Sequence, residues 1–404
     1  MVKRRFGMAW AAALLASTLM TGSALAVTCR SNVSFERWFE EFRREAAAQG
    51  ISQRAIAAAS PFLVYDARIV AIDRGQRFFA QTFVDFSGKM VPPYRIQRGA
   101  QLVKQHAATF ARIEQQYGVP APVIVAFWAL ESDFGANMGK YQVLRSLTTL
   151  AYDCRRAEMF RGHLFDALRL IEHGDLGPEE MIGSWAGELG QNQMMPTEYM
   201  KWAVDYDGDG RRNLIKSVPD VLGSTANYLA GLGWRRGEPW ITEVRVPLSL
   251  PWDQADLSIQ HPRAQWARWG VTQADGRPLP ADNLPASLIL PMGRFGPAFL
   301  AYANFQAYLK WNQSLVYSLT AAYLATRIAG APAFQRGSGT VVALSPEQIR
   351  ELQQLLTRYG YKGEIDGKLG LETRGAVKTA QMKLGMPADS WPTPELIERL
   401  RAGR

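Results

Sequence analysis

The sequence predicts a mainly α fold with small β additions, ending in a compact three-helix bundle. Three observations carry this. Helix-start signals recur along the chain: Ser34 stands ahead of Phe35, Trp38, Phe39 and Phe42 at i, i+3, i+4 and i+7, Ser52 starts a second segment, and Pro120 and Pro122 open a third. Strand-like runs, "ITEVRVPLSL" and "SLILPM", are confined to residues 240–295, where proline becomes frequent. From Ser345 onward a second set of capped, apolar-faced segments appears.

Taken in order, residues 1–26 read as a secretory signal peptide. Lys3, Arg4 and Arg5 form a positive start, Met8 to Met20 an apolar stretch, and Ala24-Leu25-Ala26 a cleavage site. An uncleaved anchor helix is the alternative, for which the apolar run is short. No later run is long and apolar enough to span a membrane, so a soluble, exported protein is expected. The formal net charge of +9 suits a polyanionic envelope. No basic run is dedicated to nucleic acid, and export argues against that partner. The two cysteines, Cys29 and Cys154, are expected to form one disulfide in an oxidising compartment, two free thiols being the alternative.

The main body is expected over residues 27–329. Amphipathic helices alternate with Gly-rich turns from about residue 100 to 235, and a helical stretch returns over 297–329. The run "GAPAFQRGSGT" begins a linker placed at 330–344. In the 345–404 unit, Ser345-Pro346-Glu347-Gln348 gives a capping box with proline at the first helical position. Ile349, Leu352, Leu355 and Leu356 form its apolar face, and further helices start near Glu372 and at Thr393-Pro394.

Three stretches carry candidate chemistry. In "WALESDFG", Glu131 follows an apolar run and lies near the C-terminal end of a helix that is apolar all round. Burial and the negative end of the helix dipole both disfavour a charged carboxylate there. That is the condition of a general acid in glycosidic cleavage, although a buried, salt-bridged carboxylate fits the same pattern. Asp133, about 200° further round the helix, is not expected to share the pocket. "GSWAGELGQNQMMP" crowds glycines, amides and a serine into a segment that cannot build core. It is either a surface loop or one that brings donors and acceptors to a ligand. In "DYDGDGRRN", Asp205, Asp207 and Asp209 take positions 1, 3 and 5 of a calcium loop with Gly210 at 6. Position 12 is Lys216, and Asp220 stands beyond it as a closing ligand. A solvated acidic turn is the alternative. No HExxH, zinc cluster or G-x-S-x-G elbow occurs.

Read together and in order, "ALESDFGANMGKYQVLRSL", "GSWAGELGQNQMMP", "AVDYDGDG", "STANYLAGLGW" and "NFQAYLKWNQSLVYSLTAAYLA" resemble the lytic murein transglycosylase B family over most of residues 30–329. The tail resembles the three-helix peptidoglycan-binding domain. The resemblance implies a lysozyme-like core and non-hydrolytic cleavage of the β-1,4 bond between N-acetylmuramic acid and N-acetylglucosamine. Glu131 matches the single catalytic acid. Ser184, Gln193, Tyr228, Asn312 and Tyr317 match sugar-contacting cleft positions, and Trp311 stands where the family usually has tyrosine. Asp205, Asp207 and Asp209 match a metal loop, so a structural Ca2+ is the one ion expected, with no cofactor required for the chemistry. Glycan strands and other cell-wall enzymes are the expected partners of a periplasmic monomer. A hydrolytic muramidase and a non-catalytic wall-binding scaffold are the alternatives.

Overall fold

The structure, a computed structural model, describes residues 33–75 and 81–403. The expected signal peptide and Cys29 lie outside the described residues; Cys154 is disulfide-bonded. Helices dominate. Ser34 caps Phe35–Ala48, which buries Trp38 and Phe42, and Ser52 caps Gln53–Ala59. Each start uses a serine oxygen to satisfy one of the N–H groups that a helix leaves without an internal partner.

The helix that positions the candidate acid is Ala121–Ser132. Every residue in it except Pro122 and Glu131 is buried. It is packed between Pro93–Gln105 and Leu315–Ile328 at the centre of the largest core. A helix with no polar face has no stable place except inside other helices.

The β residues form two antiparallel sheets. A small pair joins Tyr141–Gln142 to Ile182–Gly183, with Tyr141 opposite Gly183. The larger sheet has five strands, ordered His261–Pro262, Pro285–Ile289, Ala298–Ala301, Ile241–Arg245 and Thr272–Gln273. It carries its own core around Trp252, Trp266 and Leu300. The expectation of helix from 297 onward is corrected here. Ala298–Ala301 is the central strand of this sheet, buried throughout, and helix begins only at Phe305. Pairing on both edges outweighs the helical preference of four small and apolar residues.

The C-terminal unit contains Pro346–Leu356, Leu371–Lys383 and Pro394–Ala402, the first with the expected capping box. These helices enclose a separate core. The unit is nevertheless docked. Arg374 is buried and donates to the carbonyls of Leu290 and Pro291. Lys378 pairs with Asp256 at 3.0 Å, and Arg294 with Asp389 at 3.0 Å. The 330–344 segment has no regular structure but is pinned. Phe334 packs against Phe83, Phe299 and Tyr323, and the Gln335 N–H donates to Glu243 at 2.7 Å.

Candidate active site

The helix of Glu131 ends abruptly. Asp133 and Phe134 adopt left-handed backbone conformations, φ 52° and 61°, and Gly135 follows. The reversal turns Asp133 away to pair with Arg95 at 3.0 Å. Glu131 is left alone in its pocket.

Its Oε1 accepts two hydrogen bonds. One comes from Trp311 Nε1 at 2.8 Å and the other from the Tyr317 hydroxyl. Trp311 closes the helix Phe305–Trp311, and Tyr317 lies in the first turn of Leu315–Ile328. Burial is the largest influence on the Glu131 carboxyl and pushes its pKa up. The Tyr317 and Trp311 donors pull it down, and the charge of Glu188 pushes it up again. The result is about 7, against an ordinary 4.5. Glu131 retains part of its surface as a residue, yet the protein around its carboxyl is dense enough for desolvation to win. Burial also raises Tyr317 well above the usual tyrosine range, so it remains a hydroxyl donor.

A ladder of rings extends from this point. Trp311 lies 4.3 Å from Phe127 and 4.9 Å from Tyr228, centroid to centroid, and Tyr228 stacks on Trp202 at 5.5 Å. Tyr228 is half-buried, and burial raises its pKa to about 12. Asn312 follows Trp311 directly and uses its Oδ1 to accept from the Ser314 N–H at 2.9 Å.

The Gly-rich stretch closes over the same helix. Gln191 takes the Trp128 Nε1 hydrogen at 2.8 Å, while its backbone carbonyl accepts from Ser132. Glycine is required twice where backbones touch. A Cβ on Gly139 would collide with the Gly183 carbonyl, and one on Gly183 with the Glu188 carbonyl. Gln193 holds φ 47°, a strained value for a side-chain-bearing residue, and its amide donates to Gly190 O at 2.8 Å and Met138 O at 3.2 Å. The Ser184 hydroxyl donates to the Glu188 carboxylate. It also accepts from the Ala186 and Glu188 N–H groups at 3.1 and 3.2 Å.

Glu131, Tyr228, Trp311 and Tyr317 are thus in one connected cluster. Ser184 and Gln193 lie on the adjoining loop and Asn312 at its edge. Two features are absent from the sequence reading. The Trp311 indole supplies a donor at the position where a tyrosine hydroxyl was expected to be lost. Glu188 was overlooked, although it sits inside the stretch already read as ligand-facing.

At the acidic loop, oxygens of Asp205, Asp207 and Asp209 converge to within 4.8 Å of one another, and all three residues are exposed. Hard carboxylate oxygens at this spacing fit a calcium ion. Asp220 does not join them as a ligand. It is fully buried, and its two oxygens accept from the N–H groups of Tyr206, Asp207 and Asn213 at 2.7, 3.3 and 2.7 Å. It braces the loop from behind. Lys216 turns outward to Glu180 at 2.6 Å.

A family model described as transglycosylase SLT domain matches residues 34–326, and one for a peptidoglycan binding domain matches 345–400. The chain is 31% identical over 242 residues to the membrane-bound lytic murein transglycosylase B of Escherichia coli (strain K12). That alignment covers 60% of this chain and 66% of that protein, just under two thirds of its length. The fold superimposes on SltB3 of Pseudomonas aeruginosa in complex with NAG-anhNAM-pentapeptide at TM-score 0.85 and 40% identity, covering 91% of this chain and 99% of that one. It also matches Escherichia coli Slt35 in complex with calcium at TM-score 0.62 and 27% identity, over 74% and 93% of the two chains. An all-helical cleft with one buried glutamate at its floor, joined to a wall-binding unit, defines a lysozyme-like glycan-cleaving protein. This chain belongs to the transglycosylase SLT domain family, a family of peptidoglycan lytic transglycosylases.

Proposed function

We propose that this protein cleaves the β-1,4 bond between N-acetylmuramic acid and N-acetylglucosamine in periplasmic peptidoglycan without water, leaving 1,6-anhydro-muramic ends. The observation that carries it is the Glu131 carboxyl, lifted to about 7 by burial while two donors fix its orientation. Both donors engage Oε1, so Oε2 carries the proton. Glu131 gives that proton to the leaving glycosidic oxygen, then takes one from the muramyl C6 hydroxyl as its oxygen bonds to C1. The substrate's own N-acetyl group helps to carry the positive charge at C1. Tyr228 and Trp311 offer ring faces to sugar, and Gln193 and Asn312 offer amides.

A structural calcium ion fits Asp205, Asp207 and Asp209 and takes no part in the chemistry. The complex of Slt35 with calcium supports this reading. The 345–404 unit is proposed to hold insoluble wall beside the cleft, with 330–344 as its connection.

The test is a digest of purified sacculi followed by mass spectrometry. Products lighter by one water than hydrolytic fragments are expected. Reducing muramic ends would replace this reading with a muramidase, and the absence of products with a scaffold.

A further inference from the structure

The loop over residues 183–194 contains an arrangement that sugar contact by Ser184 does not explain. A serine hydroxyl has one hydrogen to donate and two lone pairs. Ser184 spends all three inside the loop: its hydrogen on Glu188, its lone pairs on the N–H groups of Ala186 and Glu188. The residue is saturated and has nothing left for a sugar.

Glu188 is the opposite case. Ser184 Oγ reaches Oε2 alone, and the backbone around it is tied down. The Ser184 N–H donates to the Glu188 carbonyl at 3.0 Å, and Leu189 bridges Met194. Among the described residues no cation forms an ion pair with Glu188. A part-buried carboxylate held by a neutral hydroxyl and left without a positive partner is costly to keep. Nearly every other recessed acid near this corner has such a partner: Asp133 has Arg95, Asp175 has Arg212, and Glu180 has Arg211 and Lys216.

We propose that Glu188 is a further functional carboxylate of this cleft: anchored by Ser184, it holds a fixed negative charge beside Glu131 and acts through it, keeping the acid proton in place and opposing positive charge at the sugar C1. It is a positioning residue and exchanges no proton. The proton leaves Glu131 for the glycosidic oxygen and is replaced from the C6 hydroxyl, as before. The inference rests on Glu131 being the acid. The other groups facing Glu131 are Trp311 and Tyr317, with Arg95 felt at Tyr317 but engaged by Asp133. Glu188 is the one that pushes the Glu131 carboxyl in the same direction as burial.

Glu188→Gln tests it, because the amide oxygen still accepts from Ser184 while the charge is gone. The substrate is a soluble glycan-strand fragment, and kcat and KM are followed against pH. The expected result is a thermal melt like wild type, kcat lower by roughly tenfold, KM little changed, and an alkaline limb moved to lower pH by up to about one unit. An unchanged kcat with an unmoved limb overturns the proposal. A loss confined to KM overturns it too, since Glu188 would then only bind. A large drop in melting temperature would make it a structural strut and equally overturns it. Glu131→Gln is measured alongside. If that variant is inactive and Glu188→Gln is normal, only this inference fails; if Glu131→Gln is active, the reading of the acid fails with it.

Discussion

Glu131 and Glu180 are the same residue in one fold, and their surroundings drive them apart. Glu131 sits at the end of a helix buried on every side, with two neutral donors and no cation, and its carboxyl rises to about 7. Glu180 stands in a partly open corner, where Lys216, the Gly177 N–H and Arg211 together lower it to about 2. The corner built from cations and acids serves as a clasp, joining the 178–180 turn to the loop that carries Asp205–Asp209. The site without cations can trade a proton near neutral pH. The difference teaches that the presence of a positive partner, more than depth alone, separates a carboxylate that builds from one that reacts.

The largest effect expected is at Glu131. Glu131→Gln keeps an oxygen for Trp311 and Tyr317 but has no proton to give. Activity on sacculi should fall by at least about 10³-fold, since one residue acts as both acid and base. The wild-type kcat/KM should decline as pH rises through about 7, where the acid loses its proton. The variant should also melt higher than wild type at pH 8. A carboxyl whose pKa is raised by folding costs stability increasingly from its unfolded value of 4.5 up to about 7, so the gain should vanish below pH 4.5. An active variant would erase the contrast between the two glutamates.

Next in size is Trp311→Phe. It keeps a ring beside Tyr228 but removes a donor that lowers the Glu131 pKa. A roughly tenfold loss of kcat is expected, with the alkaline limb displaced upward. An unmoved limb would mean that the indole only packs.

Glu180→Gln should leave activity intact and lower the melting temperature by roughly a few degrees at pH 7. A depressed carboxyl stabilises the fold above 4.5 and loses that contribution as pH falls through about 2, so the two proteins should converge in acid. Equal melts at neutral pH would reduce the clasp to surface decoration.

The smallest effect concerns the ion. Calcium should raise the melting temperature of wild type and not of Asp207→Ala. Identical melts in calcium and in excess chelator would leave the acidic loop as a solvated turn.

The sequence showed what is local. Capping serines, the proline-opened helix of Glu131 and the box at Ser345 depend on neighbours within a turn, and each was readable. The acid itself was legible because an isolated carboxylate in an apolar run is rare. What stayed hidden depends on distant partners. Ala298–Ala301 is a strand only because Ile241–Arg245 and Pro285–Ile289 flank it. Asp220 looked like a ligand by spacing, but its oxygens are taken by backbone that folds back over it. Phe334 gives no sign within its own flexible-looking stretch that it will lodge beside Phe83. Glu188 matters through Ser184 and Glu131, and no spacing rule links all three.

The Arg374 side chain has a mechanical consequence. Its guanidinium, lowered to about 10 by burial, bolts the second helix of the C-terminal unit to the carbonyls of Leu290 and Pro291. Those carbonyls continue the strand Pro285–Ile289. A tug on the C-terminal helices is therefore borne by the sheet at that joint, and the 330–344 segment carries little of the load. The unit behaves as a bracket and not as a leash.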